Sequence, residues 1–361
     1  MRKYTDNFEA GVGNLLFDCA QAKPGERILL VGESGGSDFF EPGICDDVAR
    51  VARDAGIDAA VILVEPVSDA SRFPQAVTEA MQAVDVVIFF SRLGDQVRFI
   101  ATPGNSRKIM CYALTRKLLS SAFSSTGFSA MKKTHDLLKE EITASTKYEI
   151  KAACGTRLSG EIAADKSSLP TLTDFSLELF PVMIFPPVNC HRLHGQLVLK
   201  DFLLSSSTRT YEDSVLILKS PVTAIIEDSR MVHFEGDDRV ITSIRKQLER
   251  AAGITGGDPY QINSWHTGIN PYTFYETDPY VDLERWGTVA YGSPRYTHIH
   301  AAGNNPGDIS IQLFDASISF DERLFWDRGR FVFLDRPELQ SFIENPGNEM
   351  LDSSPIMSIG I

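Results

Sequence analysis

The sequence contains few cysteines and no paired cysteine motif. Five cysteines are spread over 361 residues, and no Cys-x-x-Cys spacing occurs. An odd number of isolated cysteines argues against a disulfide framework and favours reduced thiols. The sequence also lacks an apolar run of about 18 residues, as a membrane-spanning helix needs, and an amino-terminal secretory signal. We therefore expect a cytoplasmic protein that does not associate with membranes.

Basic residues are outnumbered by acidic ones. The chain has 35 Lys and Arg against 48 Asp and Glu, a formal net charge of −13. This balance disfavours long-range attraction to phosphate backbones, so we expect no nucleic-acid partner. A local basic pocket for a small anion stays compatible with it. The dinucleotide-binding pattern G-x-G-x-x-G is absent, which leaves a dinucleotide cofactor with little support.

Apolar runs alternate with amphipathic segments in the first third of the chain. Strands are predicted at 26–34, 59–66, 84–92 and 107–113, and helices at 42–55 and 74–83. Such alternation is typical of an open parallel sheet with crossover helices. From residue 147 onward, most apolar segments read as strands. The predicted class is α/β: an N-terminal Rossmann-like α/β domain over 1–145 and a β-rich α+β domain over 146–361.

Two histidines near the end of the chain share one predicted strand. His298 and His300 are two residues apart, so their side chains point to the same face. His266 lies in an aromatic segment upstream, and Asp315 ends the next apolar run. Two histidines and one carboxylate hold iron in non-haem Fe(II) sites, and a similar set can hold Zn²⁺ and activate water. The spacing does not decide which metal binds. It is equally compatible with histidines that pack in the core and bind no metal.

The chain resembles the thermophilic metallopeptidase family of aminopeptidase T type, and within it the 2,5-dihydroxypyridine 5,6-dioxygenase branch. The resemblance covers most of the chain in order and is clearest in three segments: 194–204, 220–248 and 260–271. Residues 299–318 resemble the family's penultimate ligand region. It implies the two-part fold predicted above, a metal-dependent enzyme, and self-association into a homo-oligomer.

Departures from the family pattern favour the dioxygenase branch over the peptidases. Asn189 stands where a peptidase glutamate would fall, and the block around Trp265 and His266 has no glutamate. A two-metal peptidase needs several carboxylates to hold its ions. The family's H-x-D motif maps to 313–315, so Asp315 is kept and the histidine is lost. We infer that His298 or His300 replaces the lost ligand.

The leading hypothesis is a mononuclear non-haem Fe(II) dioxygenase that cleaves the ring of a hydroxylated aromatic or N-heteroaromatic molecule. The predicted ligands are His266, His300 and Asp315, with Fe(II) as the cofactor and Zn²⁺ or another divalent metal as the alternative.

The predicted partners of this enzyme are the small aromatic substrate and dioxygen. His298 is assigned to acid–base catalysis. Arg92 is assigned to a substrate anion, and Tyr291 to the pocket. Further aromatic residues either line that pocket or pack in the core: Trp265, Tyr272, Phe274, Tyr275 and Tyr296. Two alternatives stay open, a metal-dependent aminopeptidase or amidohydrolase of the same fold, and a metal-free binding protein.

Overall fold

The structure, a computed structural model, describes residues 7–35, 39–102, 104–162, 171–304, 307–343 and 356–361. The α-helices in these residues are α1 (Asn7–Gly13), α2 (Ile44–Asp54), α3 (Gln75–Gln82), α4 (Arg92–Val97), α5 (Arg116–Leu119), α6 (Ala122–Ser125), α7 (Phe128–Ala144), α8 (Asp238–Thr255), α9 (Leu283–Ala290) and α10 (Pro337–Ile343). A π-helical segment, Asn14–Cys19, continues α1. None of the helices described is long and apolar enough to cross a bilayer.

The strands fall along the whole chain. They are β1 (Arg27–Glu33), β2 (Asp58–Val64), β3 (Val86–Phe90), β4 (Arg107–Cys111), β5 (Lys147–Lys151), β6 (Arg157–Glu161), β7 (Glu178–Phe180), β8 (Val188–Asn189), β9 (His191–Leu199), β10 (Phe202–Ser205), β11 (Val215–Ile217), β12 (Val222–Glu227), β13 (Arg230–Glu235), β14 (Ile262–Thr267), β15 (Tyr296–Ala301), β16 (Ile309–Phe314), β17 (Ser317–Phe320) and β18 (Arg323–Trp326).

The amino-terminal part is built on a parallel sheet with the strand order β2-β1-β3-β4-β7. Every residue of β3 is buried, as expected for a strand covered on both faces. Helix α2 turns the side chains of Val48 and Ala52 inward, and both are fully buried. The sheet is completed by β7, which follows residue 146 in the sequence and pairs Leu179 with Met110 of β4.

Two antiparallel sheets contain the other strands described. Their strand orders are β11-β10-β16-β15-β14-β8 and β13-β12-β9-β6-β5-β17-β18. The two sheets pack through an aromatic core. There the ring centroid of Trp265 lies 5.2 Å from that of Tyr148 and 5.9 Å from that of Phe320. The predicted class, a parallel α/β part followed by a β-rich part, is confirmed.

Candidate metal centre

Three histidines lie on one face of the sheet that contains β14 and β15. His266 of β14 is directly opposite His298 of β15, and His300 is opposite Ser264. Because directly opposed residues of an antiparallel pair share a face, the pleat turns all three imidazoles the same way. The alternate residues Trp265 and Ile299 point into the aromatic core and are fully buried. The sheet therefore separates the core on one side from a histidine cluster on the other.

The three imidazoles are close enough to share one ion. One nitrogen from each of His266, His298 and His300 lies within 4.8 Å of the others. The Nε2 atoms of His266 and His300 are 3.1 Å apart. Nitrogens bound to one ion at about 2.0–2.1 Å, with a bond angle of about 90–110°, are separated by about 2.8–3.4 Å. The observed spacing of this pair fits that range.

Hydrogen bonding sets the orientation of the His266 ring. Its Nδ1 lies 3.1 Å from the carbonyl oxygen of Phe185. A carbonyl oxygen only accepts, so Nδ1 carries the proton and Nε2 presents a lone pair toward His300. A backbone carbonyl often orients a metal-binding histidine in this way. The Nδ1 of His298 is buried and has no hydrogen-bond partner among the residues described.

Burial keeps all three histidines neutral. The exposed fractions of His266, His298 and His300 are 4%, 2% and 3%. Desolvation, together with the neighbouring imidazoles and the Arg98 cation, lowers the pKa of His266 and of His298 well below the usual value. Desolvation and then Arg98 lower the pKa of His300 to about 3. Neutral imidazole is the form that binds metals, so no proton has to leave these ligands at neutral pH.

A buried ion pair adjoins the cluster. Arg98 donates from Nη1 to Asp95 Oδ1 at 2.6 Å and to Ser207 Oγ at 2.8 Å. The hydroxyl of Tyr112 donates to the same carboxylate oxygen at 2.6 Å. Arg98 and Asp95 are 7% and 1% exposed, so the pair is almost wholly removed from water. Since Ser207 follows β10, this network also ties the parallel sheet to the antiparallel part.

Two tyrosines cover one side of the cluster. The ring centroids of Tyr291 and Tyr296 lie 4.6 Å and 5.3 Å from the ring centroid of His298. The two tyrosine rings stack on each other, with their centroids 5.6 Å apart. Burial raises the pKa of Tyr291 to about 12, so its phenol is protonated at neutral pH. The predicted pocket residue Tyr291 thus lies against the histidines, and it offers an O–H group beside them.

The structure does not bring Asp315 to the histidines, which corrects the predicted ligand set. Its carboxylate receives two hydrogen bonds from Arg295, at 2.8 Å and 2.9 Å. The strand register explains this position. Gln312 is the residue opposite His298, and Asp315 is an odd number of residues further on, just past the end of β16. His298, predicted as an acid–base group, takes the third position in the cluster instead.

Arg92 lies at a different place, the carboxyl edge of the parallel sheet. It donates from Nε and Nη2 to Glu33 Oε1 at 3.0 Å and 2.6 Å, and its guanidinium lies 4.6 Å from the Phe39 ring centroid. The charged residue that acts on the histidines is Arg98. Arg98 was not predicted as a site residue, because nothing in its local sequence marks it as a buried cation.

The other predicted aromatic residues have different positions. Trp265 belongs to the core between the antiparallel sheets, whereas Tyr296 contacts His298. Tyr275 is buried and donates its backbone N–H to Ser358 near the carboxyl terminus. Asn189, the residue predicted to stand where a peptidase has a glutamate, is opposite Ser264 and so lies on the histidine face of the sheet.

Two solved structures share this fold. The 2,5-dihydroxypyridine dioxygenase from Pseudomonas putida KT2440 superposes with a TM-score of 0.60 at 12% identity, over 90% of this chain and 97% of that chain. AmpT from Thermus thermophilus superposes with a TM-score of 0.52 at 10% identity, over 90% of this chain and 99% of that chain. No protein-family model and no curated protein sequence matches the chain. At these identities the likeness establishes a common fold.

Proposed function

We propose that His266, His298 and His300 bind one divalent transition-metal ion, and that the protein is a mononuclear non-haem iron dioxygenase. Its substrate class is a hydroxylated aromatic or N-heteroaromatic small molecule whose ring is opened. The observation that carries the proposal is the cluster of three buried, neutral imidazoles within 4.8 Å of one another. The likeness in fold to a 2,5-dihydroxypyridine dioxygenase supports the same reaction class.

The donor set fits an ion such as Fe(II). Imidazole is a suitable ligand for iron, zinc, copper and nickel. The Nδ1 of His298 is buried and has no hydrogen-bond partner among the residues described, so the protein leaves this ring nitrogen available to a ligand. Three neutral ligands leave the full charge of a dication uncompensated, which favours an anionic substrate. Three ligands also leave further coordination positions open.

The cluster argues against the dinuclear chemistry of a peptidase. Within the part of the chain that the structure describes, no Asp or Glu belongs to the group of ligand atoms around the three histidines. Two divalent ions held close together need carboxylates to bridge them and balance their charge. Asn189, which stands where the resemblance places a peptidase glutamate, lies on the same face and also argues against a second ion, because it supplies no carboxylate. We therefore propose a single ion.

Bound Fe(II) would supply the redox chemistry that activates dioxygen toward an electron-rich ring. The protein's own contribution is electrostatic and steric. Arg98 lies close enough to lower the pKa of all three histidines, so its cation stabilises negative charge in the same region. Tyr291 and Tyr296 stack beside His298 and exclude water from that side. Tyr291 keeps its proton at neutral pH, so its O–H group is able to donate a hydrogen bond to a substrate oxyanion.

A mononuclear zinc hydrolase is the second candidate. The specific observation in its favour is that all three ligands are histidines, the set that holds catalytic zinc in carbonic anhydrase. The fold shared with AmpT is compatible with this candidate as well. A small aromatic substrate, dioxygen and a homo-oligomeric state remain part of the leading proposal.

One pair of assays separates the two candidates. The protein is loaded anaerobically with Fe(II), and oxygen uptake is followed with dihydroxypyridines and with catechol. In parallel, Zn²⁺- or Co²⁺-loaded protein is offered aminoacyl and acyl ester reporters. We expect oxygen uptake with ring opening, lost in His298→Ala and kept in His233→Ala, which changes an exposed histidine of β13. Reporter cleavage without oxygen uptake would replace the dioxygenase proposal by the hydrolase.

A further inference from the structure

A cavity of about 380 Å³ reaches Gly307, which packs against His300. Gly307 lines this cavity, and a Cβ atom placed on Gly307 would lie 2.8 Å from the Cβ of His300. The wall between the cavity and His300 is therefore glycine backbone at this point. The side chains that matter for its chemistry are those of Asp69, Gln96, Phe99, Arg209 and Asp308. The volume lies within the range of small-molecule sites.

Arg209 supplies a cation that acts on the nearby Asp69 carboxylate but forms no direct ion pair among the residues described. Among the residues described, no ion pair within 4.0 Å includes Arg209, and its Nε is buried without a hydrogen-bond partner. Its backbone is held in place, because Arg209 forms a β-bridge with Asp69 and the next residue, Thr210, donates its N–H to Ser68 at 2.7 Å. A buried guanidinium N–H without an acceptor is costly, and a ligand carboxylate would supply the acceptor.

Hydrogen-bond acceptors also line the cavity. Gln96 is 4% exposed, its Nε2 donates to the Val67 carbonyl oxygen, and its buried Oε1 has no partner in the described part of the chain. Asp308 is 7% exposed and accepts a hydrogen bond from the Tyr211 hydroxyl at 2.7 Å. Acceptors of this kind call for an O–H or N–H donor on the ligand. The carboxylates of Asp308 and Asp69 also disfavour a second negative charge on it.

An aromatic ring completes the lining. Phe99 stacks on Phe175, with ring centroids 5.4 Å apart and an interplanar angle of 29°. The guanidinium of Arg98 lies 5.2 Å from the centroid of the same Phe99 ring. These contacts hold the Phe99 ring in place, and Phe99 contributes apolar surface to the cavity. A flat ring is the ligand shape that such a surface favours.

We propose that this cavity binds a monoanionic aromatic carboxylate with a ring hydroxyl, the carboxylate on Arg209, the hydroxyl on Gln96 or Asp308, and the ring on Phe99. The proposal rests on the proposed function for the ligand's role as substrate. It assigns to that function a carboxylated substrate class and a recognition site near His300.

Calorimetry with the full-length metal-free protein tests the assignment directly. The probes are the three positional isomers of hydroxybenzoate, with benzoate, phenol, cyclohexanecarboxylate and terephthalate as partial matches. We expect at least one hydroxybenzoate isomer to bind about 10- to 100-fold more tightly than benzoate or phenol, since each of these lacks one polar contact. Cyclohexanecarboxylate should bind more weakly than benzoate, and the dianion terephthalate should not bind.

Variants locate the binding. Arg209→Met should weaken hydroxybenzoate about 10- to 100-fold, and Arg209→Lys should recover part of the loss because it restores the charge. Gln96→Leu should reduce the preference for hydroxybenzoate over benzoate. Arg239→Met, at an exposed position of α8, serves as the matched control and should bind like the wild type. Thermal unfolding of each variant establishes that it is folded.

The outcomes separate this proposal from the function proposed above. If a divalent metal binds but no hydroxybenzoate binds, or if Arg209→Met folds and binds the probe unchanged, the cavity assignment is overturned and the metal centre stands. If the probe binds through Arg209 but no metal binds to the histidines, the recognition site stands and the dioxygenase proposal falls.

Discussion

The Nε2 atoms of His266 and His300 face each other at 3.1 Å, although the two residues belong to different strands. Both rings are neutral, and the His266 Nδ1 proton is directed at the Phe185 carbonyl. If both Nε2 atoms present lone pairs, their approach is repulsive without a proton or an ion between them. A shared cation converts this repulsion into two favourable bonds, which is why the cluster is central to the proposed function.

Substitution of a single histidine should abolish stoichiometric metal binding. His298→Ala removes one of three protein ligands. Loss of a hydrogen-bond partner that only orients a ligand lowers metal affinity by up to about 100-fold. Because His298 is itself a ligand, we expect the affinity for Zn²⁺ or Fe(II) to fall by more than this. Isothermal titration and elemental analysis measure the change. His233→Ala is the matched control and should retain one metal per chain; equal retention by both variants would remove His298 from the site.

The sequence predicted one side of this cluster better than the other. The two-residue spacing of His298 and His300 places them on one face of any strand, so that pairing needed no tertiary information. The approach of His266 depends on the pairing of β14 with β15, which local patterns do not encode. Asp315 was assigned from a family motif, whereas strand register and its pairing with Arg295 decide its position.

The fold shows the same division between local and long-range information. The alternation of strand and helix in the first third was readable because each buried strand is a continuous apolar run, as in β3. By contrast, β7 is a short strand whose role comes from its pairing with β4, far away in the sequence. Arg98 illustrates the limit for charged residues. Its burial follows from packing between the two parts of the molecule, and an arginine is usually exposed.

Loss of the Asp315 carboxylate should leave metal binding intact. Asp315→Asn weakens a partly exposed ion pair with Arg295, and we expect a loss of at most about 1 kcal/mol in the free energy of unfolding. Metal stoichiometry and affinity, measured by titration, should equal those of the wild type. A loss of metal in this variant would restore the two-histidine, one-carboxylate ligand set predicted from the sequence.

The metal-free protein should become less stable as the pH falls. Burial lowers the pKa of His300 to about 3 and the pKa of His266 and His298 well below the usual value. Below about pH 6.5 the unfolded chain takes up protons that the folded chain does not. The free energy of unfolding should therefore fall by up to about 1.4 kcal/mol per pH unit for each histidine.

Urea denaturation between about pH 7.5 and about pH 5 measures this slope. Histidine-to-glutamine variants provide the control, because each removes one titrating group while keeping a polar side chain. His300→Gln should flatten the slope by about one proton. A slope that is identical in the wild type and in His300→Gln would contradict the neutral, buried state of this imidazole.

The Arg98–Asp95 pair should show strong non-additivity. Arg98→Met leaves the Asp95 carboxylate buried without its cation, and we expect a loss of about 3–5 kcal/mol in the free energy of unfolding. Asp95→Leu should be similarly harmful, since it leaves the guanidinium unpaired. The double variant should be less destabilised than the sum of the two, as judged by a double-mutant cycle. Additive losses would show that the two charges do not depend on each other.

X-ray absorption at the metal edge tests the three-histidine site directly, on protein loaded with one equivalent of Zn²⁺ and on the same protein loaded with Fe(II). For zinc, we expect three imidazole nitrogens at about 2.0–2.1 Å, and the loss of one of them in His298→Ala. A first coordination sphere dominated by carboxylate oxygen or sulfur, or one that His298→Ala leaves unchanged, would contradict it.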